Sequence, residues 1–113
     1  PGRQVRVQRM PLGGAGLIVK YNEPFPNYAW KTFPALMAGN AAILKPSPAT
    51  PLSAMVFGEI LHEAGVPDGV FQVIHGAGET AAALIDAGVE LVSFTGSYPT
   101  GQKVVEASAK TLA

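Results

Sequence analysis

The sequence predicts an α/β fold built on a doubly wound parallel sheet. Four short apolar runs alternate with four segments in which apolar residues recur at helical spacing. The runs lack a polar alternation, which is typical of strands that helices cover on both faces. The connections between segments are short, and right-handed crossovers of this kind place the strands parallel to one another.

The N-terminal residues 1–10 are predicted to form a strand or tail apart from the main domain. Val5 to Gln8 alternates apolar and polar residues, so we expect a half-exposed strand with arginines on its solvated side. A turn over 11–14 leads into the first buried strand, Ala15 to Val19. The glycines of that turn precede a strand, whereas a phosphate-binding loop follows one, so they indicate close packing.

The first helix is predicted over 28–38, with Asn27 as its cap. Pro34 lies inside this segment and lacks a backbone donor, which predicts a kink or a break. Trp30 falls on the apolar side of the helical spacing and is assigned to the core. A Gly-Asn pair ends the helix, and the second strand runs from Ala41 to Leu44.

The second helix is predicted to begin with Thr50 as its cap and Pro51 at its first position, and to stop at Gly65. His62 lies on the polar side of this helix beside two glutamates, which makes it a surface histidine. The residues predicted to form the buried stripe are Val56, Phe57, Ile60, Leu61 and Ala64.

The remaining elements repeat the pattern. Strands are predicted over 70–74 and 91–94, separated by an alanine-rich helix that ends at Asp86. A last helix follows the 95–101 segment and continues to Lys110. Its residues predicted to face inward are Gly101, Val104, Val105 and Ser108.

The composition excludes several classes of function. Eight basic and eight acidic side chains cancel, so there is no electrostatic case for binding nucleic acid or an anionic membrane. There is no cysteine, which excludes disulfides, thiolate metal sites and a cysteine nucleophile within these residues. No apolar run approaches the ~20 residues of a membrane span and no signal peptide opens the chain, so we expect a cytoplasmic protein.

The apolar composition indicates the interior portion of a larger protein. Charged residues make up 14% of the chain, against ~25% in a typical domain, and the mean hydropathy is +0.24. A well-packed core is the alternative explanation. The first residue is proline rather than methionine, which also suggests truncation or processing.

Polar residues follow each of the four predicted strands. Asn22, Lys45 and the segments 75–78 and 95–97 all come just after a strand. Because the carboxyl ends of parallel strands lie at one edge of the sheet, we expect these residues to share that edge. An ammonium and glycine-lined helix starts suit a phosphate-bearing ligand, since helix N-termini offer N–H groups and a partial positive charge. The hydroxyls at this edge are those of Ser47, Thr95 and Ser97.

Two nucleotide-binding motifs are present in incomplete form. The segment 76–81 fits the dinucleotide pattern G-x-G-x-x-G/A after a strand, but Thr95-Gly96 stands where an acidic residue is expected. The segment 96–103 has the glycine spacing of a P-loop, but Gln102 occupies the lysine position. An ordinary dinucleotide site and an ATPase site are therefore both disfavoured.

Five short segments occur in a fixed order and spacing: Tyr21-Asn22-Glu23-Pro24, Ala38-Gly39-Asn40, Leu44-Lys45-Pro46-Ser47, Glu63 to Val70 and Phe94-Thr95-Gly96-Ser97. Together they resemble the cofactor-binding part of the NAD(P)-dependent aldehyde dehydrogenase superfamily. The resemblance covers Pro11 to Lys110 and implies a Rossmann-like fold, with residues 11–113 as a partial NAD(P)-binding domain. It also implies NAD or NADP as cofactor, an aldehyde substrate, the rest of the parent enzyme as partner, and a homo-oligomer.

The resemblance implies roles for residues at the shared edge. Asn22 matches the catalytic asparagine whose side-chain amide helps to hold the substrate oxyanion. Lys45 matches the lysine that contacts the adenosine ribose, and Ser97 matches the hydroxyl that meets the pyrophosphate. The residues implied to bind the cofactor are Tyr21, Lys45, Ser47, Gly78, Glu79, Thr95, Gly96, Ser97 and Gly101, and no metal ligand is implied.

The chain departs from the family pattern in two ways. Pro48 stands where NAD-preferring members carry a glutamate, so tolerance of NADP is predicted, with Lys45 able to pair with a 2′-phosphate. The family's nucleophilic cysteine, which forms a thioester during oxidation of the aldehyde to an acid, lies downstream of the matched region. These residues alone should therefore be inactive. The alternative is a truncated remnant that only binds a dinucleotide or associates with itself.

Overall fold

A computed structural model describes residues 2–113 and confirms the predicted α/β fold. Strands and helices alternate throughout this part of the chain, and Pro1 lies outside it. The elements are β1 (Gly14–Ile18), α1 (Pro24–Met37), β2 (Ala41–Lys45), α2 (Pro51–Glu63), β3 (Phe71–Val73), α3 (Gly78–Asp86), β4 (Leu91–Phe94) and α4 (Tyr98–Ser108).

The strands form one parallel sheet in the order β3-β2-β1-β4. Strand β1 is central: Ile18 lies opposite Lys45 on β2 and opposite Phe94 on β4. The chain adds β2 and β3 on one side of β1, then returns to place β4 on the other side. The direction of winding therefore reverses between β1 and β4.

Two hydrophobic cores lie on opposite faces of the sheet. Leu17 belongs to the core shared with α1 and α2, where Tyr28 and Phe57 are buried. Its neighbour Ile18 belongs to the core shared with α3 and α4, where Ile85 is buried. Because successive strand residues point to opposite faces, a strand covered on both sides is apolar at every position. This explains the lack of alternation in the predicted strands.

Helix α1 differs from the prediction at its start, at Pro34 and at Trp30. It begins at Pro24, with Glu23 as its N-cap, so Asn27 lies inside the first turn and does not cap the helix. Pro34 lies within a continuous helix and on its exposed side. Proline cannot donate to the Trp30 carbonyl four residues earlier, and water can reach that carbonyl instead. Trp30 is 68% exposed, so its assignment to the core is wrong.

The predicted strand over Val5 to Gln8 is also wrong. Residues 2–12 have no regular secondary structure, and Val5 and Val7 are 85% and 96% exposed. An alternating segment becomes a strand only when a neighbouring strand accepts its backbone hydrogen bonds, and among residues 2–113 no strand lies beside it.

The buried stripes of α2 and α4 are narrower than predicted. Phe57 and Leu61 are buried on α2, but Val56 and Ile60 are about half exposed and Ala64 is exposed. On α4 the buried residues are Val104 and Ser108, Gly101 is half-buried, and Val105 is exposed. Each helix lies over an edge strand, so only part of its apolar face meets the sheet.

Several local predictions are confirmed. His62 is exposed, and its Nδ1 lies 3.5 Å from the Asp68 carboxylate. Gly13 is closely packed, because a Cβ there would lie 2.7 Å from the Glu90 carboxylate oxygen that accepts a hydrogen bond from the Gly14 N–H. Thr50 precedes α2 as predicted but makes no side-chain capping bond. Among the helices described, none combines the length and apolar character needed to cross a membrane.

Candidate functional site

The carboxyl ends of the four strands meet at one edge of the sheet. Backbone hydrogen bonds join these ends: the Thr95 N–H donates to the Ile18 carbonyl (2.9 Å), and the Val19 N–H donates to the Lys45 carbonyl (3.3 Å). The Ile74 N–H donates to the Leu44 carbonyl (2.9 Å). The loops that carry Asn22, Lys45 and Thr95–Ser97 therefore leave the sheet at the same edge, as the sequence predicted.

The reversal of winding creates a crevice at this edge. The loop after β1 leads to α1 on one face of the sheet, whereas the loop after β4 leads to α4 on the opposite face. Two adjacent loops that diverge in this way leave a gap at the carboxyl ends of their strands, which is where ligands bind in open α/β sheets. Asn22 and Gly96 come from the two loops that flank this gap.

The loop after β1 holds Asn22 in an exposed position on a constrained backbone. Tyr21, Asn22 and Glu23 are all exposed. Glu23 has φ 50° and ψ 56°, a left-handed conformation that non-glycine residues seldom adopt. The Asn27 side-chain amide donates to the Asn22 carbonyl (3.0 Å) and to the Glu23 carbonyl (2.9 Å). Sequence reasoning missed this contact, because an asparagine near a helix start was interpreted as a cap.

Lys45 is buried at the end of β2, with its ammonium held by the backbone. Its Nζ donates to the Pro46 carbonyl (2.8 Å) and to the Gly76 carbonyl (2.7 Å), so it ties β2 to the loop after β3. Burial lowers the pKa of Lys45, and the nearby Glu79 carboxylate offsets part of this decrease. An ammonium has three donors, and these two bonds use two of them.

The predicted hydroxyl at Ser47 is engaged in a local turn. Its Oγ accepts a hydrogen bond from the Ala49 N–H (3.2 Å), and its carbonyl accepts from the Thr50 N–H (3.0 Å). The turn links β2 to α2 directly after Lys45. Ser47 is only half-buried, so its hydroxyl stays close to solvent.

The loop after β3 requires glycine at Gly76. Its φ is +148°, and a Cβ at this position would collide with the Thr80 side chain. The carbonyl of Gly76 is the group that Lys45 binds. Helix α3 then begins at Gly78, and the Glu79 carboxylate accepts a hydrogen bond from the Ala77 N–H (3.3 Å).

The loop after β4 presents the N-terminus of α4. Ser97 occupies the N-cap position, but its side chain makes no capping bond and its Oγ lies 2.9 Å from the Thr100 hydroxyl. A Cβ on Gly96 would collide with the Phe94 ring, so the backbone there lies unusually close to that side chain. A groove of about 790 Å³ touches this turn at Gly96 and Ser97, but it extends along α4 to Ala113 and most of its lining residues belong to β4 and α4.

A second lysine contacts the sheet close to this edge. Lys31 on α1 donates from Nζ to the Ser93 hydroxyl on β4 (2.6 Å), and burial lowers its pKa. The sequence offered a weak signal for this residue, since Lys31 lies four positions after Asn27 and therefore on the same side of the helix. Within residues 2–113 no group of three His, Cys, Asp or Glu side chains is arranged to hold a metal ion.

These features define a doubly wound α/β domain in which a lysine, an amide and the start of a glycine-lined helix follow strands that end at one edge of the sheet. The sequence model of the "Aldehyde dehydrogenase family" matches residues 1–113, and the chain belongs to this family.

Known relatives and structures agree with this assignment. The chain is 51% identical over 106 residues to 4-trimethylaminobutyraldehyde dehydrogenase A of Danio rerio. This alignment covers 93% of the chain and 21% of that relative. PnpE in complex with nicotinamide adenine dinucleotide superposes with a TM-score of 0.87 at 42% identity, over 93% of this chain and 22% of that one. Aldehyde dehydrogenase C from Pseudomonas syringae, a mutant in complex with NAD+ and octanal, gives a TM-score of 0.90 at 37% identity, over 93% and 22%. The chain thus spans about a fifth of the length of these proteins.

Proposed function

We propose that these residues are the cofactor-binding portion of an enzyme that oxidises an aldehyde to a carboxylic acid with NAD(P)+. The observation that carries this proposal is the reversal of winding between β1 and β4, because the loop that carries Asn22 and the loop that leads into α4 leave adjacent strands at the same edge of the sheet. The NAD-bound structures that resemble this chain support it.

The described residues fit a dinucleotide. The start of α4 suits the pyrophosphate, because the Ser97 side chain does not cap the helix and the first N–H groups of α4 stay available to an anion. Lys45 would hold the adenosine ribose with its remaining N–H, and Gly78 and Glu79 would flank the adenine. The cofactor, when bound, accepts the hydride that leaves the substrate.

Asn22 supplies the one catalytic group that we assign to these residues. Its side-chain amide would donate to the oxygen of the substrate carbonyl as negative charge develops there. A donor of this kind typically contributes about 2.7–4 kcal/mol to the transition state. The nucleophile is a cysteine outside these residues, which carries the thioester, because the chain itself contains no cysteine.

Replacing Asn22 by alanine in the full-length enzyme tests this role. We expect kcat to fall about 100- to 1000-fold, with the Kd for NADH unchanged, because the amide acts on the substrate oxygen and not on the cofactor. Steady-state kinetics and fluorescence titration with NADH measure the two quantities. An unchanged kcat would rule out the proposed role of Asn22.

NADP is proposed as an accepted cofactor. Pro48 carries no carboxylate, and Lys45 lies at the end of β2, the strand that directly precedes this segment. A carboxylate there would repel a 2′-phosphate, so its absence removes one barrier to NADP. Strict use of NAD by the full-length enzyme in a dehydrogenase assay would overturn this proposal.

A catalytically incompetent remnant is the second candidate function. The observation that favours it is the amount of exposed apolar surface, for example at Val5, Val7 and Leu91, which could bind a dinucleotide domain to a second copy. The coding sequence beyond residue 113 discriminates between the two. A downstream cysteine motif supports the enzyme, in which the same surfaces would contact the rest of the subunit or a homo-oligomer, and a stop codon supports the remnant.

A further inference from the structure

We propose that Asn27 is a positioning residue that holds the Asn22 loop in its working conformation. The inference rests on the proposed function of Asn22. It assigns Asn27 no contact with substrate or cofactor; its effect passes through the backbone that carries the oxyanion donor.

The contacts of Asn27 are those of a clamp. The side chain is 5% exposed, and its single amide nitrogen donates to two consecutive carbonyls, those of Asn22 and Glu23. The backbone N–H of Asn27 also donates to the Glu23 carbonyl (3.2 Å). A buried amide needs such partners to offset the loss of water. The start of α1 and the end of the loop are therefore fixed to each other.

The two carbonyls that Asn27 binds flank a residue with an unfavourable backbone conformation. Glu23 adopts a left-handed conformation directly before Pro24, although a residue before proline favours an extended one. Strained residues of this kind persist only when their surroundings fix them, and they cluster at functional sites. The carbonyls on either side of the Glu23 φ and ψ angles are the two that Asn27 binds.

Asn22 depends on this backbone for its direction. Its side chain is exposed and makes no hydrogen bond to any of residues 2–113. No hydrogen bond of its own therefore fixes the direction of the amide. An oxyanion donor must lie about 2.7–3.1 Å from the developing charge, and a misplacement of about 1 Å can reduce the rate about 100-fold. The Asn27 side chain donates to both carbonyls. Leucine or alanine at position 27 has no side-chain donor and would lose both bonds.

A double-mutant cycle in the full-length enzyme tests the inference. The variants are Asn27→Leu, Asn22→Ala and their combination, with Asn27→Ala as a smaller replacement in case leucine prevents folding. We expect Asn27→Leu to lower kcat about 10- to 100-fold, while the KM for the aldehyde and the Kd for NADH stay unchanged. In the Asn22→Ala background the same substitution should have no further effect on kcat, because the donor that it positions is absent.

Asn40→Leu is the matched control. Asn40 also binds backbone groups through its amide, accepting from the Leu12 N–H (2.6 Å) and donating to the Ala35 carbonyl (3.2 Å), but it lies at the opposite end of α1. The Asn40→Leu substitution should lower the melting temperature and leave kcat per folded enzyme unchanged. Losses that multiply in the double variant would overturn the inference alone, since Asn27 would then act independently of Asn22. An unchanged kcat in Asn22→Ala would overturn the proposed function and this inference with it.

Discussion

Replacing Lys45 by methionine tests the binding edge most directly. Methionine keeps the length of the side chain and removes the ammonium, so the two hydrogen bonds to the Pro46 and Gly76 carbonyls are lost. Each bond to a charged group contributes about 1.5–3 kcal/mol. Methionine restores neither bond and leaves both carbonyls without this donor. We therefore expect the free energy of unfolding to fall by about 3–6 kcal/mol.

Cofactor binding should weaken as well. If the remaining N–H of Lys45 contacts the ribose, its loss removes one charge-assisted bond of about 1.5–3 kcal/mol, which weakens the Kd about 10- to 100-fold. Fluorescence titration with NADH measures this in the full-length enzyme, and a thermal melt measures the fold in parallel. A Kd equal to that of the unmodified enzyme, with the fold intact, would refute the assignment of Lys45 to the cofactor site.

Three other predictions address stability and the loop after β3. Thr32 is fully buried on α1, and its hydroxyl has no partner within residues 2–113, so Thr32→Val should raise the free energy of unfolding by about 1 kcal/mol in urea denaturation. Gly76→Ala must relieve a collision with the Thr80 side chain at a φ of +148°; it should lower the melting temperature and weaken NADH binding, and normal binding would show that the Lys45–Gly76 contact is dispensable. Burial lowers the pKa of both Lys31 and Lys45 below 10.5, so the unfolded state binds more protons than the folded state as the pH approaches 10.5, and the free energy of unfolding should rise across that window. The double variant Lys31→Met, Lys45→Met should lose this rise, and an identical pH dependence in both proteins would contradict the prediction.

The strands and the shared edge could be predicted because their signals are local. An apolar run without alternation identifies a strand buried on both faces, as at Leu17 and Ile18. Parallel pairing then brings Asn22 and Lys45 to one edge without further information. The strand order could not be predicted, because the pairing of Ala15 with Leu91 is a contact between distant segments that no local pattern records.

The errors also have physical causes. Asparagine side chains bind nearby carbonyls as readily as helix N–H groups, so Asn27 resembled a cap while it acts as a donor inside the first turn. Trp30, Val7 and Val105 are apolar yet exposed. The spacing of apolar residues shows which side of a helix or strand is apolar, but it does not show whether another element covers that side. The chain spans about a fifth of the length of its relatives.

The position of β4 beside β1 has a consequence for synthesis. Three helices and two strands separate these partners along the chain, and contacts between distant segments form slowly because a long loop must close first. A ribosome would release β1, β2 and β3 before β4. During that interval the side of β1 that pairs with β4 would be open to capture by chaperones or by other nascent chains.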